Sequence, residues 1–269
     1  MPAFPGLAQS LGLLSLGLAT MLGSLALFEF LPLPGTARVL LSTIVGSVSA
    51  LAIGVRFGQR PFARAVRIGP APRPGWVVLA PMLLGVMVIA VELVNLSLTL
   101  WPPPEAFLQF MEELMEPRHP AERLLTLALA GGLGPLVEEF LFRGLILQGL
   151  IGRYGARAGI LLSSILFALY HFNPWQGAAA LTLGLLLGWV THRAGHIGYA
   201  VALHCGNNLL ILLVAGAVPA LSPEAARLDA LEHVPVVLLV AAGCALAWGI
   251  VRFAREFPCP AAGGQDVTP

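Results

Sequence analysis

Lysine is absent from this 269-residue chain, cysteine occurs three times, and only 11% of the residues carry charge. An ordinary soluble domain is nearer ~25% charged. With 57% hydrophobic residues and a mean hydropathy of +0.84, the composition excludes a soluble domain and implies an integral membrane protein. Cys205, Cys244 and Cys259 show no C-x-x-C spacing and make an odd count, so neither a disulfide framework nor a zinc ribbon is suggested. The net charge of +1 is too small to imply nucleic acid or an acidic partner. Neither a Gly-x-Ser-x-Gly elbow nor a His-Glu-x-x-His helix occurs. No basic segment precedes the first apolar run, which is therefore read as a retained span and not a cleaved signal. The terminal Asp-Val-Thr-Pro is no prenylation box.

Long apolar runs are what the chain has in quantity. A span takes about 20 such residues, and eight candidates follow: 7–31, 37–57, 76–100, 121–150, 158–173, 176–192, 196–216 and 232–253. Proline and glycine mark the joints, as in Leu31–Gly35, Trp101–Pro104 and Asn173-Pro174. The expected fold is all-α: a polytopic helical bundle of about eight transmembrane helices forming one multi-pass domain over 1–269, without internal repeats. The Gly/Ala/Pro-rich tail, 258–269, is expected to be disordered. Arg56, Arg60, Arg64, Arg67 and Arg73, then Arg153 and Arg157, Arg193, and Arg252 and Arg255 fall on one side of eight spans. The positive-inside rule makes that side, with both termini, cytoplasmic. On the opposite side, Phe107, Phe110, Met111, Leu114 and Met115 recur at helical spacing within an acidic segment, 104–122. This reads as an amphipathic interfacial helix, a structural element in preference to a lid.

The segment Gly134–Leu150 places Glu138, Glu139 and Arg143 inside an apolar helix. A charge at that depth costs roughly 2.5–3.5 kcal/mol on insertion scales, so three within six residues mark a functional site. Glu139 and Arg143 are i,i+4 with the acid first, the favourable order for a pair. Glu138 points about 100° away and is left free for proton chemistry. His171 ends the fifth candidate span, and the seventh carries His204 and Asn208 on one face while Cys205 and Asn207 turn aside. At ~1.5 Å per residue, Glu138 and His171 lie roughly 21 Å in from the arginine side, His204 about 12 Å and Asn208 about 18 Å. The four groups can therefore share a water-accessible cavity.

In order and on successive helices, Glu138-Glu139-x-x-x-Arg143, Phe167-x-x-x-His171 and His204-x-x-x-Asn208 resemble the three signature motifs of the CPBP family. That family groups type II, Rce-like CAAX prenyl endopeptidases with bacteriocin-processing and immunity proteins. The resemblance covers about 120–216, the expected catalytic core, and implies peptide-bond hydrolysis within the membrane. By similarity, Glu138 is the general base for a water held by His171, while His204 and Asn208 stabilise the oxyanion; Glu139 and Arg143 support the site. The implied substrate is a hydrophobic or membrane-anchored peptide or protein, entering from the bilayer or through a cleft open to the cytoplasm. No cofactor is required on this reading. The alternative is zinc held by Glu138, His171 and His204, from which the family is often called metalloprotease.

Other readings stand beside this one. Glu138 as a protonated, hydrogen-bonded carboxyl would be purely structural. A proton-coupled transporter could use Glu92, Glu138 and Glu139 as a relay, and an immunity or scaffold protein could keep the motifs without catalysis. Glu92, deep in the third span, has no role in the motif reading; pairing with Arg143 or Asn95 and lining the cavity are its open options. His119, His192, His196 and His233 are expected at solvated ends or loops, Glu29 at the interface, and Cys205 as a packed thiol. An all-arginine basic set hints at a GC-rich genome, hence a bacterial cytoplasmic membrane.

Overall fold

The computed structural model describes residues 3–58, 74–115, 119–214 and 233–258, and among these all regular structure is helical. The helices are α1 (Leu7–Phe28), α2 (Gly35–Gly58), α3 (Leu79–Leu100, entered through a tight turn at Pro74–Val78), α4 (Glu105–Met115), α5 (Pro120–Tyr170), α6 (Pro174–Ala194), α7 (Gly198–Val214) and α8 (Val236–Glu256). By length and composition α1, α2, α3, α5 and α8 are each able to cross a membrane, and α7 is a shorter apolar helix. The protein is a multi-pass helical membrane protein. Among the described residues five helices are long and apolar enough to cross a membrane, and α5 turns back at Gly155 into two arms that coincide with the expected spans 121–150 and 158–173. Arg60, Arg64, Arg67, Arg73 and the tail beyond Pro258 lie outside the described residues.

α5 is the element that builds the interior. Its 51 residues would reach ~76 Å if straight, more than twice the apolar thickness of a bilayer. Gly155, at φ 80 and ψ 168, reverses it, a backbone conformation that suits glycine alone. The second arm then returns along the first so closely that a Cβ on Gly159 would lie 2.7 Å from the Ile151 backbone nitrogen. Phe142 accordingly meets Phe167 edge-on at 5.2 Å and Tyr170 at 5.5 Å.

Two apolar clusters flank this hairpin. One joins α1, α2 and α5 around Leu13, Ala50, Phe142, Ile146 and Tyr170; the other joins α3, α6, α7 and α8 around Met82, Leu187, Leu203 and Phe253. Small residues let the outer helices touch: a Cβ on Gly46 would lie 2.5 Å from the Gly17 carbonyl oxygen. Since lipid offers no hydrophobic drive between helices, such close backbone contact is what associates them.

The bundle has two chemically distinct ends. At one, Arg153 Nε donates to the Ala3 carbonyl at 3.1 Å and Arg193 Nη1 to the Phe257 carbonyl at 3.0 Å. At the other, Glu29 pairs with Arg38, and the Trp175 indole N–H donates to the Trp101 carbonyl at 2.6 Å. α6 starts at this second end, where Asn173 Oδ1 accepts from the backbone N–H of Trp175 and Gln176 (3.1 and 3.3 Å) and Pro174 opens the first turn, a well-formed cap.

Candidate active site

The first arm of α5 is not a regular α-helix around its charged residues. Leu127–Leu133 and Phe140–Ile146 are wide turns in which the Gly134 N–H bonds the Leu129 carbonyl and the Leu147 N–H bonds that of Phe142, each five residues back. Such π turns inside α-helices are frequent at functional sites. The carbonyl of Ala130 loses its partners here: the N–H four residues on is taken by Leu129, and residue 135, five on, is proline. Asn208 of α7 supplies the missing donor, its Nδ2 reaching the Ala130 oxygen at 3.0 Å. Cys205 turns to the Gly132 carbonyl at 3.6 Å, a packed thiol as expected.

Glu139 is fully buried, and its Oε1 accepts from Arg143 Nη1 at 2.9 Å. It also accepts from His204 Nδ1 at 2.8 Å, a contact that helical spacing could not anticipate. Arg143 is 1% exposed, lies 4.2 Å over the Phe167 ring, and reaches the Gly184 carbonyl at 3.4 Å. The same ring meets His171 edge-on at 4.7 Å and His204 at 5.5 Å. Phe167 thus sets the spacing of three polar groups at once.

Glu138 has no such partner. Its Oε2 lies 3.9 Å from His204 Nε2, and its side chain is 14% exposed, facing a cavity of about 340 Å³. His171, Asn208 and Asn207 border the same cavity. His171 ends α5, and its Nδ1 lies 2.9 Å from the Phe167 carbonyl, so that donating there leaves Nε2 free. Sequence spacing turned Asn207 aside. Instead it is buried at the cavity wall and donates to Asn208 Oδ1 at 3.3 Å, while its own Oδ1 and Glu139 Oε2 have no protein hydrogen-bond partner among the described residues.

Glu92 takes none of the options left open for it. It lies away from the cavity and accepts from His233 Nδ1 and from the Val234 N–H, both at 2.8 Å, tying α3 to the segment that leads into α8. α4, by contrast, packs its apolar face over the cavity through Phe107, Leu108, Met111 and Leu114, with Glu105, Glu112 and Glu113 exposed. It therefore roofs the site as well as packing against it.

Among the described residues no group of three or more His, Cys, Asp and Glu side chains is placed to hold a metal ion. Glu138, His171 and His204 border one cavity without forming the three-ligand site that catalytic zinc requires.

Residues 120–210, about a third of the chain, match the model of the Rce1-like family of type II CAAX prenyl endopeptidases. No curated protein and no solved structure gave a match. The matched segment begins with the first arm of α5 and ends just past Asn208, so it contains all three motifs and the helices that bring them together. Through this core the chain is similar to the CPBP family of intramembrane proteases.

Proposed function

We propose that the protein is an intramembrane endopeptidase that hydrolyses peptide bonds in hydrophobic or membrane-anchored polypeptides with a water activated by Glu138. The observation that carries this reading is the free Glu138 carboxylate, 3.9 Å from His204 Nε2 at the wall of a mostly apolar cavity, beside a second carboxylate already paired with Arg143. Two adjacent acids are thereby divided between a structural task and a chemical one.

With its Nδ1–H given to Phe167, His171 presents a lone pair at Nε2 that accepts from water. Glu138 takes one proton from that water, and the hydroxide attacks the substrate carbonyl. The tetrahedral oxyanion then receives the Nε2–H of protonated His204 and the second amide hydrogen of Asn208, whose first is held by Ala130. Preorganised donors of this kind contribute about 2.7–4 kcal/mol each. Glu138 finally passes its proton to the departing amine, so the residues return to their starting state.

Charge balance favours this protonation pattern. Arg143 and the His204 imidazolium offset Glu138 and Glu139, so the buried group is neutral as a whole, which lowers the penalty of carrying charge in the membrane. The test is cleavage of a fluorogenic apolar peptide by the purified, detergent-solubilised protein and by its Glu138→Gln and His171→Ala variants. Cleavage by wild type and its loss in both folded variants is expected. Undiminished cleavage by either variant refutes the mechanism, and solute uptake that depends on Glu138 without any cleavage favours a transporter.

A further inference from the structure

Resting on the protease reading, we propose that the site is loaded from the extracytoplasmic side, by an apolar polypeptide segment whose scissile bond lies in the outer half of the bilayer. The cavity is not central in the bundle. Its walls come from the first half of α2 (Leu40, Thr43, Ile44), the second half of α3 (from Ala90 to Leu98) and the first half of α6 (from Gln176 to Leu183). All three segments belong to the end where Trp175 bonds Trp101, and α4 closes the cavity there.

The arginines gather at the other end. Among the described residues Arg56, Arg153, Arg157, Arg193, Arg252 and Arg255 lie in or beside the connections there, against Arg38 and Arg123 at the cavity end; Arg143 is internal. An excess of this size in short connections fixes orientation, with the arginine end cytoplasmic. The cavity end is then extracytoplasmic.

The roof supports the same orientation independently. The polar surface of α4 carries Glu105, Glu112 and Glu113, all exposed, and Arg, the chain's only basic type besides His, is missing from that helix. An interfacial helix with an acidic face is repelled by the negative potential of a cytoplasmic leaflet, which attracts basic segments instead. Entry through a cleft open to the cytoplasm would require a substrate to pass the packed cluster of Met82, Leu187, Tyr199 and Phe253.

The experiment uses the full chain expressed in a bacterial inner membrane, with matched right-side-out and inverted vesicles. A membrane-impermeant maleimide first reads orientation from Glu112→Cys and Arg157→Cys, each made alone in a Cys205→Ser/Cys244→Ser/Cys259→Ser background. An apolar fluorogenic peptide with a charged, impermeant flank then reads activity. Labelling at 112 and cleavage in right-side-out vesicles, with inverted vesicles gaining activity only on permeabilisation, is the expected result. Labelling at 157 in right-side-out vesicles, or cleavage by sealed inverted vesicles at an equal or greater rate, overturns the proposal while leaving the protease reading intact. Absence of cleavage after permeabilisation overturns the protease reading and this proposal with it.

Discussion

Replacing Arg143 with leucine removes the guanidinium that pairs with a fully buried carboxylate. Breaking such a pair from one side costs about 3–5 kcal/mol, because the remaining charge stays desolvated. Lost cation–π contact with Phe167 adds roughly 0.5–2 kcal/mol. Against this, His204 already donates to the same Glu139 oxygen, so the net loss falls toward the lower end of that sum. Thermal unfolding followed by size-exclusion chromatography in detergent reads it, together with yield from the membrane. The double variant Arg143→Leu/Glu139→Leu sharpens the result. Exchanging the whole pair for apolar residues is near neutral or better, so stability returns. Activity does not, since His204 loses the acceptor that orients its Nδ1. A wild-type melting profile for Arg143→Leu, or a double variant that regains cleavage along with stability, refutes the division of labour argued for the two glutamates.

Three further outcomes are expected. Glu138→Gln keeps the volume and fold of the cavity wall while removing the base, so cleavage falls by about 10²–10⁴-fold with an unchanged melting profile; a variant retaining most of its rate contradicts the assignment. Gly155→Ala forces a Cβ onto φ 80 and costs more than the ~1 kcal/mol of an ordinary glycine substitution, visible as lost yield, whereas Gly177→Ala, in open space within α6, leaves yield unchanged. Active wild-type protein analysed for metal contains no stoichiometric zinc and keeps its rate in chelator; one zinc per chain that tracks activity reverses the reading of the donor set.

The helices and their joints were legible because proline, glycine and apolar run length act locally. Asn173-Pro174 opens α6 and Trp101–Pro104 ends α3, as the composition of those segments requires. The Glu139–Arg143 pair was legible for the same reason, both residues lying on one helix. Contacts between helices were not. Helical spacing says which side chains share a face but not which neighbour that face meets, so the bond from His204 to Glu139 and the seat of Glu92 against His233 had no sequence signal. Asn207 was within reach of the sequence: three residues after His204, it lies about 60° round the helix and belongs to the same face as His204, Asn208 and Ile211, all of which line the cavity. Hydropathy also divided α5 correctly, since the spans 121–150 and 158–173 are the two arms that meet at Gly155.

The dependence of the third motif on the first follows from one residue that carries no charge. Pro135 cannot donate, and the wide turn before it diverts the Gly134 N–H to Leu129, so Ala130 presents an unmet carbonyl inside the protein. A buried carbonyl left unpaired costs about 1–3 kcal/mol, and Asn208 answers it from a different helix. Leucine at 208 therefore leaves that carbonyl stranded and loosens α7 from α5. Aspartate is worse, because it sets an acceptor against an acceptor and a third carboxylate near Glu138 and Glu139. Only a side chain with two amide hydrogens can hold Ala130 with one and keep the other for the cavity. An asparagine four residues after His204 is thus demanded twice, by the backbone defect at Gly134-Pro135 and by the chemistry proposed beside it.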